Sequence, residues 1–198
     1  MVLEVENTKF TARSVVLSDQ HQRFVITVSN VWHQTAGRLI LAGATPWEVD
    51  EVLTGKGFAF GPFEKQDEFG LDVVYASLRK RLESQYPASY QAEPVIETIL
   101  SRMIQEGRLG CKTGVGWYRY PSGGGKVIDP LIDDLISEES RFARIARGSI
   151  DDNEILHQMH QALRNEVSDC LHKGLVEDLE TARDLLVSQI GFPAEKQA

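Results

Sequence analysis

Apolar residues recur at intervals of three and four along two long stretches of the chain, one in each half. This spacing places them on one face of an α-helix. Gly43 and Gly174 follow the two stretches, and glycine commonly closes a helix at this position. We therefore predict long amphipathic helices over residues 24–42 and 152–173. Their apolar stripes are Phe24, Val28, Val31, Trp32, Ala36, Leu39 and Ile40 in the first helix, and Ile155, Met159, Ala162, Leu163, Val167, Cys170 and Leu171 in the second.

Capping residues and prolines predict where the shorter helices begin. Thr45 and Glu48 have the spacing of a capping box, and Pro46 between them suits the first position of a helix. Asp129 and Pro130 indicate a later helix start by the same combination of a cap and a proline. The predicted shorter helices cover residues 46–53, 71–85, 93–106 and 177–188. One more follows a turn at residues 57–63 and runs through Asp67, and a further one begins at residue 130.

The first 23 residues lack the helical spacing. Val15, Val16 and Leu17 form a short β-branched run, which predicts one strand. Residues 2–5 are a second candidate strand. We therefore expect an extended lead-in with a short β segment over residues 1–23.

A stretch rich in glycine and aromatic residues, Gly107 to Tyr120, separates the two helical halves. Its sequence is GRLGCKTGVGWYRY, and glycine reaches backbone angles that other residues adopt only with strain. Tyr118 and Tyr120 alternate as in a short extended segment with one buried side. We predict a connector that crosses a surface and is anchored by its aromatic rings. A flexible loop is expected after it, over residues 121–126.

These patterns together predict a mainly α fold with a short β segment at the N-terminus. Each half has the same order of elements: a long helix, a closing glycine, a short helix and a Gly-Phe pair. This order favours an internal duplication. We predict a lead-in over residues 1–23, a first helical domain over 24–120 and a second helical repeat over 121–198, joined by the Gly/aromatic connector.

Composition and charge argue against several classes of protein. The chain has 198 residues, a net charge of −8 and a pI near 5.2, whereas nucleic-acid binding needs clustered Lys and Arg. We expect no membrane partner, because no apolar run reaches the roughly 20 residues that span a bilayer. The N-terminus lacks a signal-peptide layout, and Cys111 and Cys170 have no metal-ligand spacing. We therefore expect a protein of the reducing cytoplasm.

Two short motifs suggest chemistry, but each has a simpler interpretation. His157 and His160 share a helix face, yet a metal site needs more ligands, so we interpret them as surface or interface histidines. Residues 123–126, GGGK, resemble part of a phosphate loop but lack its upstream glycine and its following Ser or Thr. A flexible loop is favoured. Asp67 and Asp72 are interpreted as turn and cap acceptors and not as paired catalytic carboxylates.

Three blocks of the sequence resemble one enzyme family. Residues 57–74, GFAFGPFEKQDEFGLDVV, and residues 107–120 resemble two motifs of the L-3-hydroxyacyl-CoA dehydrogenase family. Residues 155–193 resemble the second helical repeat of its multifunctional members, including the Gly-Phe-Pro ending. The resemblance implies the helical C-terminal region of enzymes that oxidise the 3-hydroxyl of acyl-CoA with NAD in fatty-acid β-oxidation. It also implies a homodimer.

The chain departs from this family where the chemistry takes place. It has no strand-turn-helix with GxGxxG, so we expect it to bind no cofactor by itself. In the family, the GxGxxG motif and the catalytic His and Glu lie in an NAD-binding domain. The resemblance places Ile26 at the position of the family's catalytic Asn, and Ile26 cannot donate a hydrogen bond. Asn30, one helical turn further, is a weak substitute candidate.

Five residues are candidates for the acyl-CoA groove by resemblance. Phe58, Phe60, Phe63 and Trp117 could form its walls, although aromatic residues of this kind more often form plain core. Lys112 could meet the phosphates of CoA, although a solvated charge is the simpler interpretation.

Two hypotheses about function follow. The first is a 3-hydroxyacyl-CoA dehydrogenase-like C-terminal region in acyl-CoA metabolism, which forms a wall of the acyl site and the dimer contacts but has no activity alone. The alternative is a non-catalytic module that binds acyl-CoA or pairs with a separate NAD-binding protein.

Overall fold

The computed structural model describes residues 17–83, 93–122 and 125–194, and within them the fold is mainly α, as predicted. Two two-residue strands form a small antiparallel sheet in which Tyr118 pairs with Ile128. The elements in chain order are α1 (Asp19–Ala42), α2 (Pro46–Gly55), α3 (Pro62–Phe69), α4 (Leu71–Glu83), α5 (Pro94–Gln105), β1 (Tyr118–Arg119), β2 (Val127–Ile128), α6 (Leu131–Phe142), α7 (Asp152–His172) and α8 (Leu179–Ile190). A short 3₁₀ turn at Cys111–Thr113 precedes β1.

Helix α1 begins earlier than the apolar spacing predicts. It starts at Asp19, so the prediction of an extended lead-in is wrong for residues 19–23. Ser18 caps this helix by accepting a hydrogen bond from the backbone N–H of His21 at 3.1 Å. The polar turn from Asp19 to Arg23 adds no residue to the apolar stripe, and for this reason the stripe misses it. The strand predicted at Val15–Leu17 lies outside the described residues except for Leu17, and the candidate at residues 2–5 lies wholly outside them.

The capping signals place other helix ends to within two or three residues. The backbone N–H of Glu48 donates to the Thr45 hydroxyl at 3.3 Å, and the N–H of Thr45 donates to the Glu48 carboxylate at 2.7 Å. These two bonds complete the predicted capping box of α2. Asp178 accepts from the N–H of Thr181 at 2.8 Å, so α8 begins two residues later than predicted. Helix α3 continues two residues past its predicted end at Asp67.

The two long helices, α1 and α7, pack against each other and form the centre of the molecule. Most residues of their apolar stripes are buried in one continuous core, in which Trp32 stacks on Phe58 with ring centroids 5.0 Å apart. Helix α2 also packs on α7, and α8 packs on α1. The α1 stripe is therefore largely covered within a single chain, whereas Leu163, Val167 and Leu171 of the α7 stripe also border a surface groove.

The two Gly-Phe turns, one from each predicted repeat, meet at the side of this core. The backbone N–H of Ala59 donates to the carbonyl oxygen of Gly191 at 2.8 Å. The rings of Phe58 and Phe192 meet edge to face, with centroids 5.3 Å apart. Gly191 has φ +65°, and a Cβ there would lie 2.9 Å from Ala59 Cβ, so both the backbone angle and the close approach favour glycine. The internal duplication itself stays a prediction.

Candidate functional site

The candidate site is built around α3 and the connector. The connector folds back on α3, where the Asp67 carboxylate accepts hydrogen bonds from the backbone N–H groups of Trp117 and Tyr118, each at 2.9 Å. The Tyr120 hydroxyl donates to the same carboxylate at 3.0 Å. Asp67 is fully buried. One carboxylate therefore holds the whole aromatic end of the connector against α3.

Glycine allows this close approach. A Cβ at Gly110 would lie 2.2 Å from the carbonyl oxygen of Asp67, and one at Gly116 would lie 2.0 Å from Asp67 Oδ1. Gly110 also has φ +90°, in the region that favours glycine. Gly110 and Gly116 are thus required by the contact of the connector with α3.

A second buried carboxylate, Asp50 on α2, holds the start of α3. It accepts hydrogen bonds from the backbone N–H groups of Phe63 at 3.0 Å and Glu64 at 2.8 Å. N–H groups in the first turn of a helix have no partner within the helix, so Asp50 satisfies them. The Tyr118 hydroxyl donates to Asp50 at 2.9 Å. Tyr118 therefore links both carboxylates, with its backbone on Asp67 and its hydroxyl on Asp50.

Burial changes the acidity of both carboxylates. It raises the pKa of Asp50 and the pKa of Asp67 to about 6, while their hydrogen bonds act in the opposite direction. The nearby Lys126 ammonium and Arg108 guanidinium also favour the charged forms of Asp50 and Asp67 respectively. Both groups thus titrate closer to neutral pH than an exposed aspartate does.

A polar relay connects the connector to α1. The indole N–H of Trp117 donates to Gln66 Oε1 at 3.0 Å, and Gln66 Nε2 lies 3.0 Å from His33 Nδ1. An indole N–H can only donate and an amide nitrogen can only donate, so His33 Nδ1 is the acceptor. The ring proton of a neutral His33 is therefore on Nε2.

Arg108 is a further anchor of the connector. Its guanidinium donates to the carbonyl oxygen of Gly116 at 3.0 Å and to the Asp129 carboxylate at 2.6 Å, both in buried positions. Asp129 also accepts from the N–H of Leu131 at 3.3 Å, at the start of α6. This pair links the connector to the second half of the chain.

The structure separates the five groove candidates. Phe58 is buried beside Trp32 and Phe192. We call α3 together with the connector, residues 62–69 and 107–120, the α3–connector unit. Phe63 and Trp117 are buried together in it, with ring centroids 4.9 Å apart. In the described chain these three side chains offer almost no surface to a ligand, and their role in an acyl groove stays a prediction.

The other two groove candidates are more accessible. Phe60 is partly exposed, with the Lys65 ammonium 4.6 Å from its ring centroid. Lys112 is exposed and forms an ion pair with Asp72 across the start of α4. This ammonium lowers the pKa of Asp72. Asp72 thus serves as an ion-pair partner, and Asp67 binds the connector.

The two candidates for the catalytic position differ in exposure. Ile26 is 53% exposed on the N-terminal half of α1, while Asn30 is 7% exposed. A catalytic role for Asn30 stays a prediction.

Sequence patterns miss three residues of this site: Gln66 on α3, and Asp50 and His33, which contact α3 from α2 and α1. The N–H groups that Asp50 binds lie 13 and 14 residues later, so no local signal marks it as a cap. His33 and Gln66 are also brought together only by folding.

No group of three or more metal-ligating side chains occurs among the residues that the structure describes. Within the same residues, no helix has the length and apolar character needed to cross a membrane.

Relatives of known description match most of the chain. The sequence model of the 3-hydroxyacyl-CoA dehydrogenase C-terminal domain matches residues 24–120. The peroxisomal bifunctional enzyme of Pongo abelii is 30% identical over 175 residues, which are 84% of this chain and 24% of that protein. The peroxisomal fatty acid beta-oxidation multifunctional protein of Oryza sativa subsp. japonica is 28% identical over 162 residues, or 78% of this chain and 21% of that protein. The chain thus spans about a quarter of the length of these relatives.

A solved structure has a similar fold. The dehydrogenase part of multifunctional enzyme 1 from C. elegans matches with a TM-score of 0.63 and 24% identity, covering 87% of this chain and 38% of that one. At this identity the match shows the fold alone. The matched residues 24–120 include both blocks with the motif resemblance, residues 57–74 and 107–120. Residues 24–120 of the chain accordingly belong to the 3-hydroxyacyl-CoA dehydrogenase C-terminal domain family.

Proposed function

We propose that this chain is the C-terminal helical part of a dehydrogenase that acts on 3-hydroxyacyl-CoA in fatty-acid β-oxidation. One observation carries the proposal: the two blocks with the motif resemblance, residues 57–74 and 107–120, form one hydrogen-bonded unit centred on Asp67. In this role the unit fixes α3 against α1. The unit and α1 together would form a rigid wall of an acyl-CoA site.

We propose further that the chain has no dehydrogenase activity by itself. Ile26 occupies the position at which the resemblance places a catalytic Asn, and an aliphatic side chain cannot donate a hydrogen bond to a substrate carbonyl. Asn30 is nearly buried and lies a helical turn away, about 5.4 Å along the axis. Catalysis requires closer positioning of the reacting groups than this.

The test is NADH oxidation by the purified chain in the presence of acetoacetyl-CoA. We expect no turnover above a control without protein, while circular dichroism confirms that the sample is helical. Turnover clearly above the control would overturn the non-catalytic proposal. The Ile26→Asn variant is the matched control. We expect it to be inactive as well, because the sequence has no GxGxxG motif for binding NAD.

An acyl-CoA-binding or assembly module remains the second candidate. It is favoured by the large apolar side chains Ile26, Phe69 and Val73, which are exposed on α1, α3 and α4. Exposed apolar side chains of this size often mark contact surfaces when they are contiguous. Calorimetry with acetoacetyl-CoA separates the possibilities: binding favours a ligand role, and its absence in a stably folded chain favours assembly with another protein.

The homodimer and the cytoplasmic location stay predictions. Light scattering of the purified chain would give its mass directly. The matched relatives are named as peroxisomal, so imaging of a fluorescent fusion should compare peroxisomes with the cytoplasm.

A further inference from the structure

A groove lies open between α7 and α8, in the second half of the molecule. Its volume is about 460 Å³, within the range of about 300–1,000 Å³ that is usual for small-molecule sites. We call it the α7 groove. It is lined by His160, Leu163, Arg164, Val167, Ser168, Leu171, Leu179, Leu186 and Phe192.

Comparison with the first half explains why the α7 groove is open. On α1 the corresponding face is covered. Gln66 of α3 bonds to His33, and Ile96 of α5 lies so close to Gly37 that an added Cβ there would be 3.2 Å from Ile96 Cγ1. No described element covers the face of α7 in this way. Aligning Gly43 with Gly174 pairs Trp32, His33, Ala36, Gly37 and Ile40 of α1 with Leu163, Arg164, Val167, Ser168 and Leu171 of α7.

One end of the α7 groove is aromatic. The His160 ring lies 5.9 Å from the ring of Phe58 and 6.5 Å from that of Phe192, centroid to centroid. Phe58 in turn stacks on Trp32, so this end rests on the buried core. A ligand would therefore meet a preformed surface.

The polar groups of the α7 groove, His160, Arg164 and Ser168, follow one another along α7 at intervals of one helical turn. Arg164 has no ion pair or hydrogen bond among the described residues. Burial, and secondly the charge of Arg164, lower the pKa of His160, which favours the neutral imidazole. Arg164 supplies the positive charge of the groove. The Ser168 hydroxyl lies one turn further along α7. From His160 to Leu171 the helix rises about 16 Å, and beyond Ser168 the lining is aliphatic.

We propose that the α7 groove binds a single-chain amphiphile, with its anionic head group on Arg164 and its aliphatic chain along Val167, Leu171 and Leu179. The charge and the apolar lining together favour this class of ligand over a neutral or cationic one. The site is separate from the α3–connector unit, and the proposal does not depend on the dehydrogenase role.

Calorimetric titration of the full chain with decanoate, below its micelle concentration, tests this assignment. We expect saturable binding of decanoate, with weaker binding of 1-decanol and of decyltrimethylammonium. Arg164→Glu should weaken decanoate binding by about tenfold or more, since a charge-assisted bond is replaced by repulsion. Arg141→Glu, an exposed charge reversal on α6, is the matched control and should leave the affinity unchanged.

A second variant separates loss of the site from loss of the fold. Ser168→Trp places a large ring in the α7 groove at an exposed position, so it should abolish decanoate binding while the circular dichroism spectrum stays unchanged. Two results would overturn the proposal: no saturable binding of decanoate, or binding that survives both Arg164→Glu and Ser168→Trp. The NADH assay is independent of either result, so a failure here leaves the proposed function untouched.

Discussion

Helices α1 and α7 have the same predicted plan but meet different surroundings. The face of α1 that contains His33 and Gly37 is covered by α3 and α5, while the equivalent face of α7 lines an open groove. Apolar spacing is equally regular in both helices and does not distinguish them. The difference lies in what the chain places on top of each helix.

The cover of α1 depends on buried polar contacts as well as on apolar packing. Asp67 and Asp50 hold the connector and the start of α3 by bonds to backbone N–H groups. Such contacts have a fixed geometry, whereas apolar contacts allow many arrangements. Two carboxylates thus position the α3–connector unit, and the described part of the second half has no counterpart to them.

The largest effect is expected from Asp67→Ala. The change leaves the two buried N–H groups of Trp117 and Tyr118 without an acceptor and removes one partner of the part-buried Tyr120 hydroxyl. Each unsatisfied buried donor costs about 1–3 kcal/mol, and we expect the free energy of unfolding to fall by about 3–5 kcal/mol. Urea denaturation followed by circular dichroism measures it. Asp134→Ala, at an exposed position on α6, is the control and should change stability by less than about 0.5 kcal/mol. A loss below about 1 kcal/mol for Asp67→Ala would contradict the anchoring role.

The pH dependence of stability tests the same carboxylates without a substitution. Their pKa rises from 3.8 to about 6 on folding, so the folded state binds more protons between these values. The resulting stabilisation is fully present below pH 3.8 and is lost as the pH rises through about 6. The loss for Asp50 or Asp67 is on the order of 2–3 kcal/mol by pH 7.

Carbon NMR titration of the side-chain carboxyls should show two groups that titrate near pH 6. Asp50→Asn should remove one of them. Titration of both near pH 4 would show that the buried carboxylates are not perturbed.

The glycines of the connector give a sharper comparison of two similar positions. Gly110 and Gly107 both have positive φ, but a Cβ would clash with Asp67 only at Gly110. Gly110→Ala should therefore be less stable than Gly107→Ala by about 1–3 kcal/mol, the usual cost of overpacking. Thermal and urea denaturation of the two variants provide the measurement. Equal losses would mean that backbone strain alone explains the glycine at position 110.

The smallest effect is expected where the two long helices are compared directly. Ala36→Leu adds volume on the covered face of α1 and should cost about 1–3 kcal/mol. Val167→Leu, at the aligned position in the α7 groove, should change stability by less than about 0.5 kcal/mol, because the added methylene enters open space. Urea denaturation curves of both variants measure the change in the free energy of unfolding. Similar losses in both would mean that the groove is closed in solution.

Local patterns predicted the elements of this chain well. The apolar spacing located α1 and α7, and the Thr45–Glu48 capping box fixed the start of α2. These signals act between residues three or four apart, so they can be read without the fold. The same rule explains the main error: residues 19–23 carry no apolar stripe, and the helix there is set by the Ser18 cap.

Local patterns alone predict the mainly α class, the limits of most helices and the resemblance to one family, because periodicity, caps and motifs are all short-range. Which side chains meet depends on the folded arrangement. It placed Asp50 at the start of α3, joined Trp117 through Gln66 to His33, and left the face of α7 that contains Arg164 uncovered. The physical reason is that contacts between distant residues depend on how whole helices pack, and no short-range pattern contains that information.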